Sequence, residues 1–411
     1  MTASDPRSPA TVRSAGQEPP LLPPAVRQAL EHPGPFALGL DAWLAAECGA
    51  THPEELAAAV RARQLELLNA DLCHMAKHSS LYRQRLMGAG RWSAAGLRPL
   101  RDLSELAELP FTTADDLRPG EALLCVSRDE VARMVTVSTS GSTGAPKRLA
   151  FSDAELARTR DFFAVGMAQM VTAGQHVAVL LPGAHRPRGI TDLLAGSLAP
   201  QGVRVTACME LADLLLCVPE QAPEGAAARQ ALAAMAPAGL GLVLLPRQME
   251  CLWRAFPQTP PGLCAALCAA DWLDPGLRRQ VEQSWVCLVL DHYGSTESAF
   301  AGAVQCRCRE GRHVRALDLL LEIVHPVTGK VLPAGETGEL VITTLQRRAM
   351  PLLRYRTGDM ASLLDGPCAC GSPLPRLGPV LGRIEYDGQG FRVTHPRKGG
   401  SEERRSCAIT L

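Results

Sequence analysis

Residues 135–151 read VTVSTSGSTGAPKRLAF, and this stretch decides both the fold and the function that we predict for the chain. Its middle places serine and threonine hydroxyls and two glycines ahead of one lysine, Lys147. Glycine permits tight turns in which several backbone N–H groups point at one ligand, so such a loop can surround phosphate oxygens. The hydroxyls and the lysine add further donors. The stretch therefore predicts a nucleotide-phosphate site, and a plain Ser/Gly linker is the alternative.

This loop differs from a Walker P-loop. That motif has glycine directly before the lysine and Ser/Thr directly after it, whereas Pro146 and Arg148 occupy these positions here. The alternating residues 135–137 and the run 149–151 predict strands on both sides of the loop. A helix starts only at Ser152, where Ser152 and Glu155 can form a capping box. No helix N-terminus is therefore expected to point at the phosphate.

Two more motifs follow the loop in the chain. Residues 292–297 read HYGSTE, and residues 355–359 read YRTGD. Together the three motifs resemble those of the adenylate-forming, or AMP-binding, superfamily, which includes acyl- and aryl-CoA ligases, peptide-synthetase adenylation domains and luciferases. Residues 103–120, LSELAELPFTTADDLRPG, are similar to the segment before the loop in phenylacetate-CoA ligases. The resemblance thus favours the phenylacetate-CoA ligase-like branch.

The resemblance implies an acid–thiol ligase that uses ATP, Mg²⁺ and CoA. An aryl or acyl carboxylic acid would attack the α-phosphate of ATP, and the acyl-adenylate would then lose AMP to the thiol of CoA. The protein would supply alignment and charge neutralisation for both steps. The acid is not predicted, but its pocket is expected between the sheet and residues 185–194 and 263–272.

Catalytic roles are implied for Lys147, Thr296 and Glu297. Thr296 would hydrogen bond the α-phosphate, and Glu297 would bind the Mg²⁺ that bridges phosphate oxygens. An exposed loop carboxylate is the alternative for Glu297. The nucleotide phosphates would be held by the loop residues Thr139, Ser140, Gly141, Ser142, Thr143, Gly144 and Lys147.

The nucleoside half of ATP would be bound by residues of the two later motifs and of one arginine. Tyr293, beside Gly294, would stack on adenine, although a tyrosine at a strand end also suits a core. Asp359 would accept both ribose hydroxyls, because a carboxylate offers two acceptors to a vicinal diol. Arg383 would reach ribose or phosphate, and an arginine on a solvated loop is its alternative.

Two short cysteine and histidine groups suggest a structural metal site. The first holds Cys306, Cys308 and His313, and the second holds Cys368 and Cys370. In a cytoplasmic chain such groups favour tetrahedral zinc over disulfides, with free thiols as the alternative. By resemblance, the four expected Zn²⁺ ligands are Cys306, His313, Cys368 and Cys370, and Cys308 could replace one of them.

The order of patterns predicts an α/β fold. Helices alternate with apolar strands over residues 152–290, which indicates mixed or parallel sheets flanked by helices. The strand at residues 286–290 ends at HYGSTE, and ligands collect at such carboxyl edges. Hairpin patterns from residue 316 onward predict a small β-barrel-like subdomain over residues 300–384. The first helical pattern covers residues 37–91.

We divide the chain into three parts. Residues 1–36 are expected to be a disordered leader, residues 37–384 the AMP-binding N-terminal domain, and residues 385–411 an irregular tail. In the family, a C-terminal domain with a bridging lysine follows at this point, and we expect it to be absent here, by nature or by truncation. Turnover by the chain alone would then be impaired unless a separate protein supplied that domain. A non-catalytic nucleotide- or acyl-adenylate-binding protein is the second hypothesis.

Composition excludes some partners. Forty-two basic and 42 acidic residues give a formal net charge of zero, which argues against a general binder of nucleic acid or of membrane surfaces. No apolar run reaches the roughly 18 residues of a membrane span. Most of the 14 cysteines stand singly in apolar segments, where buried thiols are typical. We therefore expect a cytoplasmic protein, of undetermined oligomeric state.

Overall fold

A computed structural model of the chain describes residues 21–118, 121–137, 146–187, 189–209, 239–386 and 390–394. The helices in these ranges are α1 (Pro24–Glu31), α2 (Gly39–Cys48), α3 (Pro53–His78), α4 (Ser80–Gly88), α5 (Asp153–Met167), α6 (Ile190–Leu198), α7 (Pro246–Ala255) and α8 (Pro275–Ser284). The strands are β1 (Trp92–Ser93), β2 (Gly96–Leu97), β3 (Arg133–Val137), β4 (Lys147–Phe151), β5 (His176–Val179), β6 (Arg204–Ala207), β7 (Leu240–Leu244), β8 (Leu263–Cys268), β9 (Leu288–Tyr293), β10 (Ala303–Gln305), β11 (Arg312–Val314), β12 (Leu319–Val324), β13 (Thr337–Thr344), β14 (Tyr355–Leu364), β15 (Arg376–Leu377), β16 (Gly382–Tyr386) and β17 (Phe391–Thr394).

A parallel sheet forms the centre of the fold, as the apolar runs predict. Its strands lie in the order β6-β5-β7-β8-β9, and all neighbours in this group are parallel. Val177 and Val179 of β5 pack into one hydrophobic core, whereas Ala178 packs into a second core. Because successive side chains of a strand point to opposite faces, the sheet is buried on both sides.

Antiparallel strands continue the same sheet beyond β9. The order runs β9-β10-β11-β15-β14-β13-β12, and β16 pairs with β14 and β17. The expected β-rich region at residues 300–384 is therefore present. The strand pairings of the described residues do not close into a barrel, because β12 is an end strand whose one partner among the named strands is β13, while β10 continues into the parallel sheet through β9.

The helical pattern over residues 37–91 resolves into α2, α3 and α4. Ser79 separates the last two, and its hydroxyl accepts a hydrogen bond from the N–H of Tyr82. The expected disordered leader is wrong for residues 24–31, which form α1. Val26 and Ala29 of this helix are buried, because their spacing places them on one face that packs against α2. Residues 1–20 lie outside the described part.

The predicted irregular tail is wrong for residues 385 and 386, which belong to β16, and for residues 391–394. The latter residues form β17, which pairs with β16, and Val393 is buried beside Met360 and Ile384. The short alternation of Phe391 and Val393 is enough for a strand because an existing strand edge is available to it. In the described part of the chain, no helix is long and apolar enough to cross a membrane.

Strand β8 corrects the prediction for residues 263–272. We expected this segment to line the acid pocket, but Leu263–Cys268 lies between β7 and β9 in the middle of the parallel sheet. Its sequence, LCAALC, lacks the β-branched residues that indicate a strand. Helix α8 was also not predicted, and residues 210–238, part of the expected alternation of helices and strands, lie outside the described residues.

Candidate active site

Strands β3 and β4, which were predicted on the two sides of the loop, pair with each other in antiparallel orientation. Val137 pairs with Lys147, and Arg133 pairs with Phe151. Thr139, Ser140, Gly141, Ser142, Thr143 and Gly144 fall outside the described residues. Lys147 is the first residue of β4 and only 8% exposed. A lysine buried to this extent requires an anionic partner, which in this structure is Glu297.

Glu297 lies in a tight turn that follows β9. Gly294 begins this turn, and a Cβ at that position would stand 2.4 Å from the carbonyl oxygen of Phe300, so only glycine fits. The N–H of Ser295 donates to the hydroxyl of Ser298 at 2.9 Å, and the N–H of Ser298 donates to the hydroxyl of Ser295 at 3.2 Å. These bonds hold the turn in one conformation.

The Glu297 carboxylate joins two of the predicted motifs. Its Oε1 accepts a hydrogen bond from Lys147 and another, at 2.9 Å, from the hydroxyl of Tyr355. Burial acts to raise the pKa of Glu297, but the charge and hydrogen bond of Lys147 outweigh it and hold that pKa below its usual range. Glu297 is therefore ionised, and an ionised carboxylate oxygen is the kind of ligand that Mg²⁺ prefers.

Asp359 forms the centre of a second cluster. Its Oδ2 accepts a hydrogen bond from the hydroxyl of Tyr293 at 2.8 Å, and its Oδ1 accepts one from Nη1 of Arg383 at 2.6 Å. Asp359 of β14 and Arg383 of β16 are paired residues of the sheet. Burial and the nearby Asp359 charge raise the pKa of Tyr293 well above its usual value, so its phenol stays neutral. The three residues predicted to bind the nucleoside are thus in contact.

Strand β14 connects the two clusters. It carries both Tyr355, which contacts Glu297, and Asp359, which contacts Tyr293. The structure therefore brings together Lys147, Glu297 and Asp359, which come from three separate motifs. The side chain of Thr296, next to Glu297, is partly exposed in the same turn. The contact made by Tyr355 was missed by sequence reasoning, although Tyr355 opens the YRTGD motif.

Four side chains form a separate cysteine and histidine group. The ligand atoms of Cys306, His313, Cys368 and Cys370 all lie within 4.8 Å of one another. The Sγ atoms of Cys306 and Cys368 are 3.7 Å apart, and Cys370 Sγ is 3.7 Å from Nε2 of His313. A tetrahedron with zinc–sulfur bonds of about 2.3 Å places its sulfurs about 3.8 Å apart. The group therefore has dimensions suited to such an ion, and Cys308 is exposed and outside it.

The elements around this group explain its geometry. Cys306 directly follows β10 and His313 belongs to β11, and these two strands form a hairpin. Cys368 and Cys370 lie in a turn before β15, in which the N–H of Gly371 donates to the carbonyl of Cys368 at 2.8 Å. Burial and the nearby charge of Arg376 lower the pKa of His313 to about 4, so its ring is neutral, as a metal ligand must be.

Two buried carboxylates hold the loop between β13 and β14. Oε1 of Glu155 accepts hydrogen bonds from the N–H groups of Arg348 and Ala349 at 2.6 and 2.7 Å. Oδ2 of Asp71 accepts one from the N–H of Gln346 at 2.7 Å. Gln346 has a φ of 58°, which a non-glycine residue adopts only where contacts enforce it. We call residues 346–349 the clamped loop.

Asp71 makes folding stability dependent on pH. Burial raises the pKa of Asp71 from 3.8 to about 7, so between these values the folded chain binds more protons than the unfolded chain. Its contribution to stability therefore falls as the pH rises through this window, by at most about 1.4 kcal/mol per pH unit. We expect the melting temperature of Asp71→Asn, relative to the wild type, to increase from pH 4 to pH 8. A difference that is independent of pH would contradict this.

Comparisons with known proteins identify relatives of the chain. Residues 108–346 match the family model described as AMP-binding enzyme. Phenylacetate-coenzyme A ligase of Thermus thermophilus is 31% identical over 337 residues, which cover 79% of this chain and 71% of that protein. The phenylacetate-coenzyme A ligase of Pseudomonas putida is 30% identical over 346 residues, which cover 80% of this chain and 71% of that protein.

A solved structure shares the fold. It is the crystal structure of 2-hydroxyisobutyryl-CoA ligase in complex with 2-HIB-AMP and CoA, which superposes with a TM-score of 0.64 at 21% sequence identity. The superposition covers 80% of this chain and 69% of that one. At this identity the similarity concerns the fold alone.

Proposed function

The chain belongs to the AMP-binding enzyme family of adenylate-forming acyl- and aryl-CoA ligases, and we propose that it activates an arylacetic or related acid. The acid's carboxylate oxygen bonds to the α-phosphorus of ATP and pyrophosphate leaves. The CoA thiol, losing its proton, then bonds to the acyl carbon and AMP leaves. The convergence of Lys147, Glu297 and Asp359 carries this proposal, and the names of the relatives support the acid class.

At the phosphate end, we propose that Lys147 and Glu297 separate from each other when ATP binds. Without ATP, each charge neutralises the other in a buried position. When ATP is bound, the Lys147 ammonium group would contact phosphate oxygens. Glu297 and Thr296 would face the α-phosphate. Glu297 would hold a bound Mg²⁺, which would supply positive charge at the phosphate oxygens. Residues 139–144 lie outside the described residues, and their sequence motif is the ground for proposing that they would also bind the phosphates.

At the nucleoside end, Asp359 would exchange its present partners for the ribose. Its two oxygens now accept from Tyr293 and Arg383, and a vicinal diol presents two donors of the same kind. Tyr293, neutral and next to Gly294, supplies a ring for adenine to stack on. Arg383 is then free to contact ribose or phosphate.

We also assign the cysteine and histidine group a structural Zn²⁺. Cys306, His313, Cys368 and Cys370 would bind it, and their spacing and burial support this choice. The ion would join the β10–β11 hairpin to the turn before β15. It would have no part in the chemistry, since no residue of the group contacts Glu297 or Asp359 in the described hydrogen bonds. The use of ATP and CoA supports cytoplasm as the location.

A panel of aryl and acyl acids tests the function. The full chain is incubated with Mg-ATP and each acid, with and without CoA, while pyrophosphate release and thioester formation are measured. We expect acid-dependent pyrophosphate release that is slow for the chain alone, as its sequence predicts, and thioester only with CoA. We also expect a higher melting temperature with the preferred acid and Mg-ATP, because ligands stabilise the folded state they bind. Tight ATP binding without pyrophosphate release for any acid would contradict a ligase and favour a nucleotide-binding protein.

A further inference from the structure

Arg347 connects the two elements that carry the Lys147–Glu297 pair. Its side chain is 4% exposed, and its Nη1 donates a hydrogen bond of 2.6 Å to the main-chain carbonyl of Glu297. The centre of its guanidinium lies 4.5 Å from the centroid of the Phe151 ring. Phe151 ends β4, the strand that begins with Lys147. Arg347 thus contacts both the strand of the lysine and the turn of the glutamate.

The clamped loop gives Arg347 a rigid base. Glu155 accepts from two consecutive N–H groups directly after Arg347, and Asp71 accepts from the N–H directly before it. The backbone on both sides of Arg347 is therefore held by buried carboxylates. A side chain anchored in this way can transmit the position of the loop to the carbonyl of Glu297.

The electrostatic cost of this arrangement argues against a purely stabilising role. Nε and Nη2 of Arg347 have no hydrogen-bond partner among the described residues. Burial lowers the pKa of Arg347, which reflects the cost of taking a guanidinium out of water. The face of Phe151 offsets part of this cost. An apolar side chain of similar size would fill the space without desolvating a charge.

We propose that Arg347 is a positioning residue that fixes the main chain of Glu297, and with it the carboxylate that faces magnesium and the phosphates. The inference rests on the proposed function, because it assigns Arg347 its purpose in that reaction. Arg347 acts through Glu297 and does not touch the reacting atoms. Loss of its hydrogen bond lets the turn move and so displaces the carboxylate.

Three variants of the full chain test this. Arg347→Met keeps the length and removes the donors, Arg347→Lys keeps a cation that can still donate, and Arg348→Met is the matched control. Arg348 is adjacent, and its side chain is 49% exposed. Its Nη1 lies 3.6 Å from Oδ1 of Asp71, but an ion pair with so exposed an arginine contributes little to holding the loop. For each variant, kcat and KM for ATP are measured, together with the Kd of ATP by calorimetry with and without Mg²⁺, and the melting temperature.

Arg347→Met is expected to lower kcat by roughly tenfold to a hundredfold, the effect of a displacement of about 1 Å at a reacting centre. The factor by which Mg²⁺ strengthens ATP binding should shrink, while the melting temperature changes by only a few degrees. Arg347→Lys should recover part of both losses, and Arg348→Met should resemble the wild type.

An unchanged kcat and an unchanged Mg²⁺ factor in Arg347→Met would overturn the inference. So would a loss of activity that follows the loss of folded protein alone. If the wild type releases no pyrophosphate with any acid, the proposed function fails, and the Mg²⁺ factor in calorimetry still decides the role of Arg347.

Discussion

Glu297→Gln should lower acid-dependent pyrophosphate release by roughly a hundredfold to a thousandfold, as loss of one charge-stabilising group at a reacting centre does. The amide has the size of the carboxylate but carries no charge for the phosphate-bound ion. It also leaves the buried ammonium of Lys147 without its counter-charge, since Oε1 of Glu297 is its partner. Steady-state rates with saturating acid and Mg-ATP measure the effect.

Glu47→Gln is the control for this prediction. Glu47 is a partly buried carboxylate whose partner is Arg158, at 3.0 and 3.1 Å, and not a residue of the site. Its variant should keep kcat within about twofold even where stability falls, because surface and rim pairs affect folding more than chemistry. Equal rates for Glu297→Gln and the wild type would remove Glu297 from the mechanism.

The second large effect is expected from the cysteine and histidine group. The purified chain should contain one equivalent of zinc, and Cys370→Ser should lose it and melt several degrees lower. The reason is that a structural metal binds only the folded state, so its binding free energy adds to stability. Elemental analysis and thermal unfolding measure both results.

Cys308→Ser is the matched control, because Cys308 lies close in sequence to Cys306 yet is exposed and outside the group. It should keep the zinc and the melting temperature of the wild type. A chain that contains no zinc, and whose melting temperature is the same with and without added zinc, would show that the four side chains are free thiols.

The sequence predicted the elements whose signal is local. Continuous apolar runs identified β5 and β7. The HYGSTE motif placed Glu297 just after a predicted strand, and Glu297 does follow β9. Strand β8 was not recognised, because an alanine- and cysteine-rich run becomes a strand here only through pairing on both sides. Helix α1 lies in a proline-rich region and is fixed by packing on α2.

The residues of the site also differ in whether the local sequence or the tertiary structure reveals them. Lys147, Glu297, Tyr293 and Asp359 were predicted as site residues because each belongs to a motif. Arg347 was not predicted, because it lies outside the motifs. Its only local signal is a pair of charged residues, Arg347 and Arg348, at the end of an apolar strand. Its hydrogen bond to the Glu297 carbonyl joins two loops that lie 50 residues apart in the sequence. Such contacts follow from the tertiary structure alone.

The central claim is that three separate segments bind one ATP, and titration calorimetry of ATP into the full chain tests it most directly. The account predicts one ATP per chain, with binding weakened about tenfold or more by Asp359→Ala, which removes the paired acceptors for the ribose diol. A folded wild type that takes up neither ATP nor AMP, or an Asp359→Ala variant that binds ATP as tightly as the wild type, would contradict it.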